Sequence, residues 1–136
     1  MSILIVDDSP DQQALLRSIL GKAGHGDVLS ADSAKSASTL LNLDGEATSQ
    51  KIDLILMDIL MPEQDGVETC RQIKRCAHLQ DVPVIMVTAK NDLSNLKEAF
   101  AAGAMDYISK PVNSVELLAR VSSALLLKQE MDRRKN

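Results

Sequence analysis

The sequence predicts a doubly wound α/β fold, and three observations carry that prediction. Strand-like and helix-like segments alternate from end to end, the pattern of successive βα units around a parallel sheet. The runs Ile3-Leu4-Ile5-Val6, Leu54-Ile55-Leu56-Met57 and Val84-Ile85-Met86-Val87 are continuously apolar, as strands are when helices cover both faces. Each run leads straight into a polar group: Asp7 and Asp8 after the first, Asp58 after the second, Thr88 after the third. Tyr107-Ile108-Ser109 leads likewise to Lys110. The carboxyl ends of the strands in an open parallel sheet share one edge, where ligands bind. These five side chains would therefore meet at one place, although they are scattered between positions 7 and 110.

Residues 2–6 read as the first strand. Ser9 is a candidate N-cap, and Pro10 suits the first helical position. The first helix then runs to about Leu20, with Gly21, Gly24 and Gly26 punctuating its end. Residues 27–31 form a weaker second strand. Asp32 or Ser33 caps a second helix carrying Ala37, Leu40 and Leu41. Residues 42–51 are polar and unpatterned and read as a loop or frayed helix end. Residues 53–57 are the third strand, and residues 61–66 a loop. The third helix turns Val67, Cys70, Ile73 and Leu79 inward. Pro83 opens the fourth strand, where a missing N–H is tolerated. Residues 92–102 form a fourth helix ended by Gly103, and residues 106–109 a short fifth strand. Asn113 and Glu116 have the spacing of a capping pair at the start of the last helix. Its stripe Leu117, Val121, Ala124, Lys128, Met131 approximates a heptad that could pair two chains. Unbroken from Ser114 to about Arg133, this helix would be roughly 30 Å long, so its end is expected to project beyond the strands it covers. Arg133, Arg134 and Lys135 suit the negative end of its dipole.

The 136 residues fit one domain with an aliphatic core, since Phe100 and Tyr107 are the only aromatic residues. A net charge of −4, with no basic face and no aromatic platform, argues against direct nucleic-acid binding. No apolar stretch approaches the ~20 residues of a membrane span, and Asp7 and Asp8 interrupt any signal-peptide core. A cytoplasmic protein is expected. Cys70 and Cys76 lack metal-ligand spacing and read as reduced thiols; His25 and His78 read as surface residues.

Taken singly, the polar residues have ordinary explanations. Asp7-Asp8 suits a helix start, Asp58 a helix cap, Thr88 packing, and Lys110 the surface. The functional case rests on all five falling at strand ends. Three carboxylates brought together repel one another unless a cation intervenes, and Mg²⁺ is the hard, oxygen-seeking ion that suits them, with Mn²⁺ as an alternative. Lys110 supplies a point charge and Thr88 a hydroxyl for phosphoryl oxygens. An ionised carboxylate is already a nucleophile, so phosphoryl transfer needs no histidine here.

At this level of detail the chain resembles the receiver domains of two-component response regulators. The motifs are Ile-Leu-Ile-Val-Asp-Asp-Ser-Pro at 3–10, Asp-Leu-Ile-Leu-Met-Asp-Ile-Leu-Met-Pro-Glu-Gln-Asp-Gly at 53–66, Val-Pro-Val-Ile-Met-Val-Thr-Ala at 82–89 and Gly-Ala-Met-Asp-Tyr-Ile-Ser-Lys-Pro-Val at 103–112. The resemblance implies a flavodoxin-like (βα)5 fold, a five-stranded parallel sheet in the order 2-1-3-4-5, with an extended C-terminal helix. It implies a phosphoacceptor at Asp58, metal carboxylates at Asp7 and Asp8, and the backbone carbonyl of Leu60 as a further metal ligand. Thr88 and Lys110 become the phosphoryl-sensing pair, Tyr107 the switch aromatic, and Lys110-Pro111 a cis peptide bond. Leu60 and Lys90 occupy positions that the family varies and that influence the lifetime of the acyl phosphate. Leu60 offers no group to orient water, so a fairly long-lived phosphoryl state is expected.

The favoured function is a phosphorylation-operated switch, not an enzyme acting on outside substrates, with a histidine kinase or phosphotransfer domain as donor. An aspartate-nucleophile phosphohydrolase is disfavoured because Leu60 stands where such enzymes usually carry a second Asp. A phosphorylation-independent receiver is disfavoured by the complete set of site residues. Residues 1–127 read as the receiver and 128–136 as a helical extension; the chain is either a stand-alone receiver or, the favoured reading, part of a longer protein in which this helix leads to an output domain. Homodimerisation is expected through the face formed by the fourth helix, fifth strand and last helix, or through the last helix itself.

Overall fold

The computed structural model of the chain describes residues 1–43, 45, 51–89 and 93–135. Five parallel strands are ordered β2-β1-β3-β4-β5. They are β1 (Ile3–Val6), β2 (Val28–Ala31), β3 (Leu54–Met57), β4 (Val84–Ala89) and β5 (Asp106–Lys110). The helices are α1 (Pro10–Lys22), α2 (Ala34–Leu41), α3 (Gly66–Arg75), α4 (Leu93–Ala101) and α5 (Ser114–Lys135). A short 3-10 turn at Ala77–Leu79 follows α3, so Leu79 reaches the core from outside the helix expected to carry it. The loop expected at 42–51 lies mostly outside the described residues.

The central strands are apolar throughout because alternate side chains enter different cores. Leu4, Val6, Ile55, Met57, Val84 and Met86 face the layer of α2, α3 and α4. Ile3, Ile5, Leu54, Leu56, Ile85 and Val87 face α1 and α5. Most of these side chains are completely buried, each contributing about 1.5–3 kcal/mol through removal from water. Two-sided burial, not alternation, is therefore what the unbroken apolar runs encode.

Side chains set the helix starts. Ser9 accepts the Gln12 amide at 3.2 Å at the head of α1, and Ser33 accepts the Ser36 amide at 3.0 Å at the head of α2. Asp65 accepts the Glu68 amide at 2.9 Å, and Asn113 the Glu116 amide at 3.0 Å, as its spacing from Glu116 implied. Between the two candidates for the second cap, Ser33 holds the position, while Asp32 binds the Ser36 hydroxyl.

The last helix departs from expectation at its far end. Leu117, Val121, Ala124 and Lys128 are all buried, so the stripe considered for pairing two chains is spent on this chain's own core. Nor does the end simply project. Lys128 Nζ lies 3.6 Å from the buried Asp53 and 2.6 Å from Asp132. Asp53 also accepts the Ser2 amide at 2.8 Å, Lys51 reaches Asp132 at 3.3 Å, and Lys135 pairs with Asp81 at 2.5 Å. Charge pairs thus clamp the extra turns to the edge opposite the strand-end site.

The Lys128–Asp53 pair yields a direct test. Lys128→Ala leaves Asp53 with the Ser2 amide and a 4.0 Å approach from Lys51. Removing one partner of a buried pair costs about 3–5 kcal/mol, and the buried Ser2 amide and exposed Lys51 left to Asp53 place the expected loss near the lower figure. Urea unfolding should show a lower midpoint at unchanged slope.

Candidate functional site

The site lies beyond the ends of β1, β3, β4 and β5, where register sets which side chains meet. Val6 pairs with both Ala31 and Met57, so Asp7 and Asp58 leave neighbouring strands at the same level. The Asp58 amide donates to Val6 O at 2.9 Å and the Asp7 amide to Ala31 O at 3.1 Å, extending the sheet's bonding past its formal end. Thr88 pairs with Ser109 and Ala89 with Lys110, which brings the fourth and fifth strand ends alongside.

Carboxylate oxygens of Asp7, Asp8 and Asp58 all lie within 4.8 Å of one another. Asp7 and Asp58 are buried and Asp8 is exposed. Lys110 Nζ bridges the buried two, at 3.1 Å from Asp7 and 3.3 Å from Asp58. Burial pushes the Asp58 carboxyl above its ordinary range; Lys110 opposes the shift and the Asp7 charge adds to it. Three carboxylates against one ammonium leave a local excess of negative charge.

The neighbouring loops hold these groups in place. Asp7 accepts the Ser9 amide at 2.9 Å, while its carbonyl accepts the Gln13 side chain at 2.6 Å. Asp58 accepts the Leu60 amide at 3.3 Å. Leu60 itself is 54 % exposed. Thr88 is buried. Tyr107 is half-buried on β5, its ring edge-on to Phe100 of α4 with centroids 6.4 Å apart. The Lys110–Pro111 peptide bond is cis. Lys90 lies outside the described residues.

Sequence reasoning did not assign Gly66 or Gln13 to the site. A Cβ on Gly66 would lie 2.1 Å from the Asp58 carbonyl oxygen and 2.9 Å from its carbonyl carbon. The Gly66 amide also donates to Ile59 O at 2.8 Å. The head of α3 therefore presses directly on the backbone of Asp58. An Asp-Gly pair opening a helix was visible at 65–66, but nothing local says which backbone the glycine approaches.

Chemically, the arrangement is an all-oxygen anionic cluster with the Lys110 ammonium at its side and a buried hydroxyl on the adjoining strand. The oxygen donors and excess negative charge suit a hard divalent ion, and a phosphoryl group could be met by the ammonium and the hydroxyl.

Comparisons with known proteins give the family and the fold. The family model for the response regulator receiver domain matches residues 3–122. PilH of Pseudomonas aeruginosa is 37 % identical over 123 residues, which is 90 % of this chain and 96 % of that protein. The two-component response regulator ORR1 of Oryza sativa subsp. indica is 37 % identical over 127 residues, 90 % of this chain but 55 % of the relative. The chain thus spans about half the length of that relative, and only 28 % of a cyclic di-GMP phosphodiesterase of Vibrio cholerae to which it is 39 % identical. Among solved structures, the receiver domain of a Syntrophus aciditrophicus signal transduction histidine kinase superposes with a TM-score of 0.80 at 35 % identity, covering 91 % of this chain and 89 % of that one. The receiver domain of NtrX from Brucella abortus gives 0.79 at 29 % identity, covering 90 % and 97 %.

Two outcomes follow from the site's packing and charge. Gly66→Ala must displace the Asp58 backbone, and overpacking of this kind costs about 1–3 kcal/mol; a lower denaturant midpoint should accompany altered amide shifts at Asp58 and Leu60. Because the Asp58 carboxyl is raised in the folded state, its charge opposes folding. That cost is absent below the ordinary carboxylate value and present in full once pH exceeds the raised one. Metal-free Asp58→Asn should accordingly melt a few degrees above wild type at pH 7 and show no such gain at pH 3.

Proposed function

Since this chain belongs to the response regulator receiver domain family, a family of phosphoacceptor signalling switches, we propose that Asp58 is its phosphoacceptor and that Asp7, Asp8 and the Leu60 carbonyl join it in holding Mg²⁺. The observation that carries this reading is the set of three carboxylates within 4.8 Å of one another, with Lys110 bridging two of them. Mn²⁺ would fit the same donors. A bound divalent ion would neutralise charge developing on the phosphoryl oxygens.

The chain's own groups then divide the work. A carboxylate oxygen of Asp58 attacks phosphorus as the bond to the donor's histidine nitrogen breaks. Lys110 exchanges a carboxylate partner for a phosphoryl oxygen, and Thr88 donates its hydroxyl to another. The added charge at Asp58 biases a two-state element made of α4, β5 and α5. Tyr107 follows Thr88 inward, away from its edge contact with Phe100. The exposed Leu60 side chain presents nothing to orient an attacking water, which favours a long-lived acyl phosphate. It also lacks the acid/base carboxyl that a phosphohydrolase acting on outside substrates would need.

The donor is a histidine kinase or a phosphotransfer protein, and a cytoplasmic location goes with it. Several relatives are longer than this chain and some are named as transcriptional regulators, which supports an output domain in the whole protein. The clamped end of α5 supports drawing the receiver through Lys135 rather than ending it at 127. For self-association, the face of α4, β5 and α5 is favoured over the α5 stripe, which the core occupies.

Phosphorylation of the purified chain by acetyl phosphate or a cognate kinase tests the assignment. Wild type should take up one phosphoryl group per chain in Mg²⁺ and essentially none in chelator, and Asp58→Asn should take up none. Stoichiometric labelling of Asp58→Asn would overturn it, and rapid loss of label in Mg²⁺ would refute the long lifetime.

A further inference from the structure

The three carboxylates of the strand-end site are not held alike. Asp7 accepts the Ser9 amide and the Lys110 ammonium, and Asp58 accepts the Leu60 amide and pairs with the same ammonium. The Asp8 carboxylate is exposed and has no hydrogen bond or ion pair among the described residues. The like charges of Asp7 and Asp58 repel it. Its place within 4.8 Å of theirs therefore rests on the backbone that carries it.

Gln13 closes that stretch of backbone into a ring. Its main-chain amide donates to Ser9 O at 3.0 Å in the first turn of α1, and its side-chain Nε2 reaches back to Asp7 O at 2.6 Å. The Asp7 carbonyl and the Asp8 nitrogen and Cα belong to one planar peptide unit, so holding the oxygen fixes the plane from which Asp8 springs. Among the described residues no other group donates to Asp7 O. Asp7 is 2 % exposed, so solvent does not readily replace that donor. The neighbouring Gln12 provides a contrast: its Nε2 is buried and has no partner.

We propose that Gln13 is a positioning residue for the metal: it presets Asp8 beside Asp7 and Asp58 and thereby sets the affinity of the site for a divalent cation. This rests on the reading of the cluster as a Mg²⁺ site. The side-chain donor of Gln13 is committed to Asp7 O, so Gln13 acts through that peptide unit and not as a ligand. Without it the peptide between Asp7 and Asp8 is free to turn, and repulsion swings Asp8 outward. Asp8 then has to be ordered anew each time the site fills, which weakens binding. With the site saturated the same donors surround Asp58, so phosphoryl transfer proceeds at the wild-type rate.

Mg²⁺ titration of the metal-free chain, followed by the amide shifts of Asp8 and Asp58, measures the affinity. Gln13→Met keeps the length of the side chain and removes the donor; Gln13→Ala removes it with the strongest helix former. Both should bind Mg²⁺ about tenfold more weakly than wild type, the low end of what partners of metal ligands contribute. Gln12→Met should bind as wild type does. Labelling of the Gln13 variants by acetyl phosphate should need correspondingly more Mg²⁺ but reach the wild-type rate at saturation. Equal affinity in wild type and both Gln13 variants would overturn the proposal and leave the metal reading intact. So would an equal loss in Gln12→Met, or labelling that stays slow at saturating Mg²⁺. Absence of Mg²⁺ binding by wild type overturns the metal reading and this proposal with it. In metal-free wild type one Gln13 side-chain amide proton should be protected from exchange; its free exchange would overturn the proposal even if neither variant folds.

Discussion

One lysine holds the functional edge of this molecule together. Lys110 reaches from the end of β5 to carboxylates at the ends of β1 and β3, two of them buried, at 3.1 and 3.3 Å. Without a cation, charges of one sign at that separation on a low-dielectric sheet would drive the strand ends apart. The contact crosses β4 and so spans the width of the site. It also leaves the cluster net negative, with Asp58 held above its usual titration range chiefly by burial. A site poised in this way gains from any added cation and responds strongly to added charge at Asp58.

The rest of the fold makes that poise possible. Two aliphatic half-cores, one under α1 and α5 and the other under α2, α3 and α4, fix the register that brings Asp7 and Asp58 level. The head of α3 sits so close to Asp58 that only a glycine fits there. The Gln13 side chain and the Ser9 amide hold both the carbonyl and the carboxylate of Asp7. At the opposite edge, the buried pair of Lys128 and Asp53 ties the long α5 to the start of β3. On the proposed reading, the first turns of α5 belong to the switching face while its last turns are tied to the opposite edge.

The sequence alone determined the sheet, the helices and the residues gathered at the strand ends. Unbroken apolar runs, helix caps and a polar residue at each strand end are local signals, and local signals survive in a linear text. Leucines and valines buried on both faces leave little freedom in how such strands can be covered. What the sequence could not determine depended on which distant segments touch. Lys128 looked like one position of a pairing stripe until Asp53, on another element, gave its charge a buried partner. His78 looked solitary until the end of α2 presented Leu41 O to it. Gly66 looked like a turn residue until α3 was set against Asp58. In each case the deciding interaction is a contact between residues far apart in the chain, or between one side chain and another element's backbone, and only the packed tertiary structure brings such groups within bonding distance.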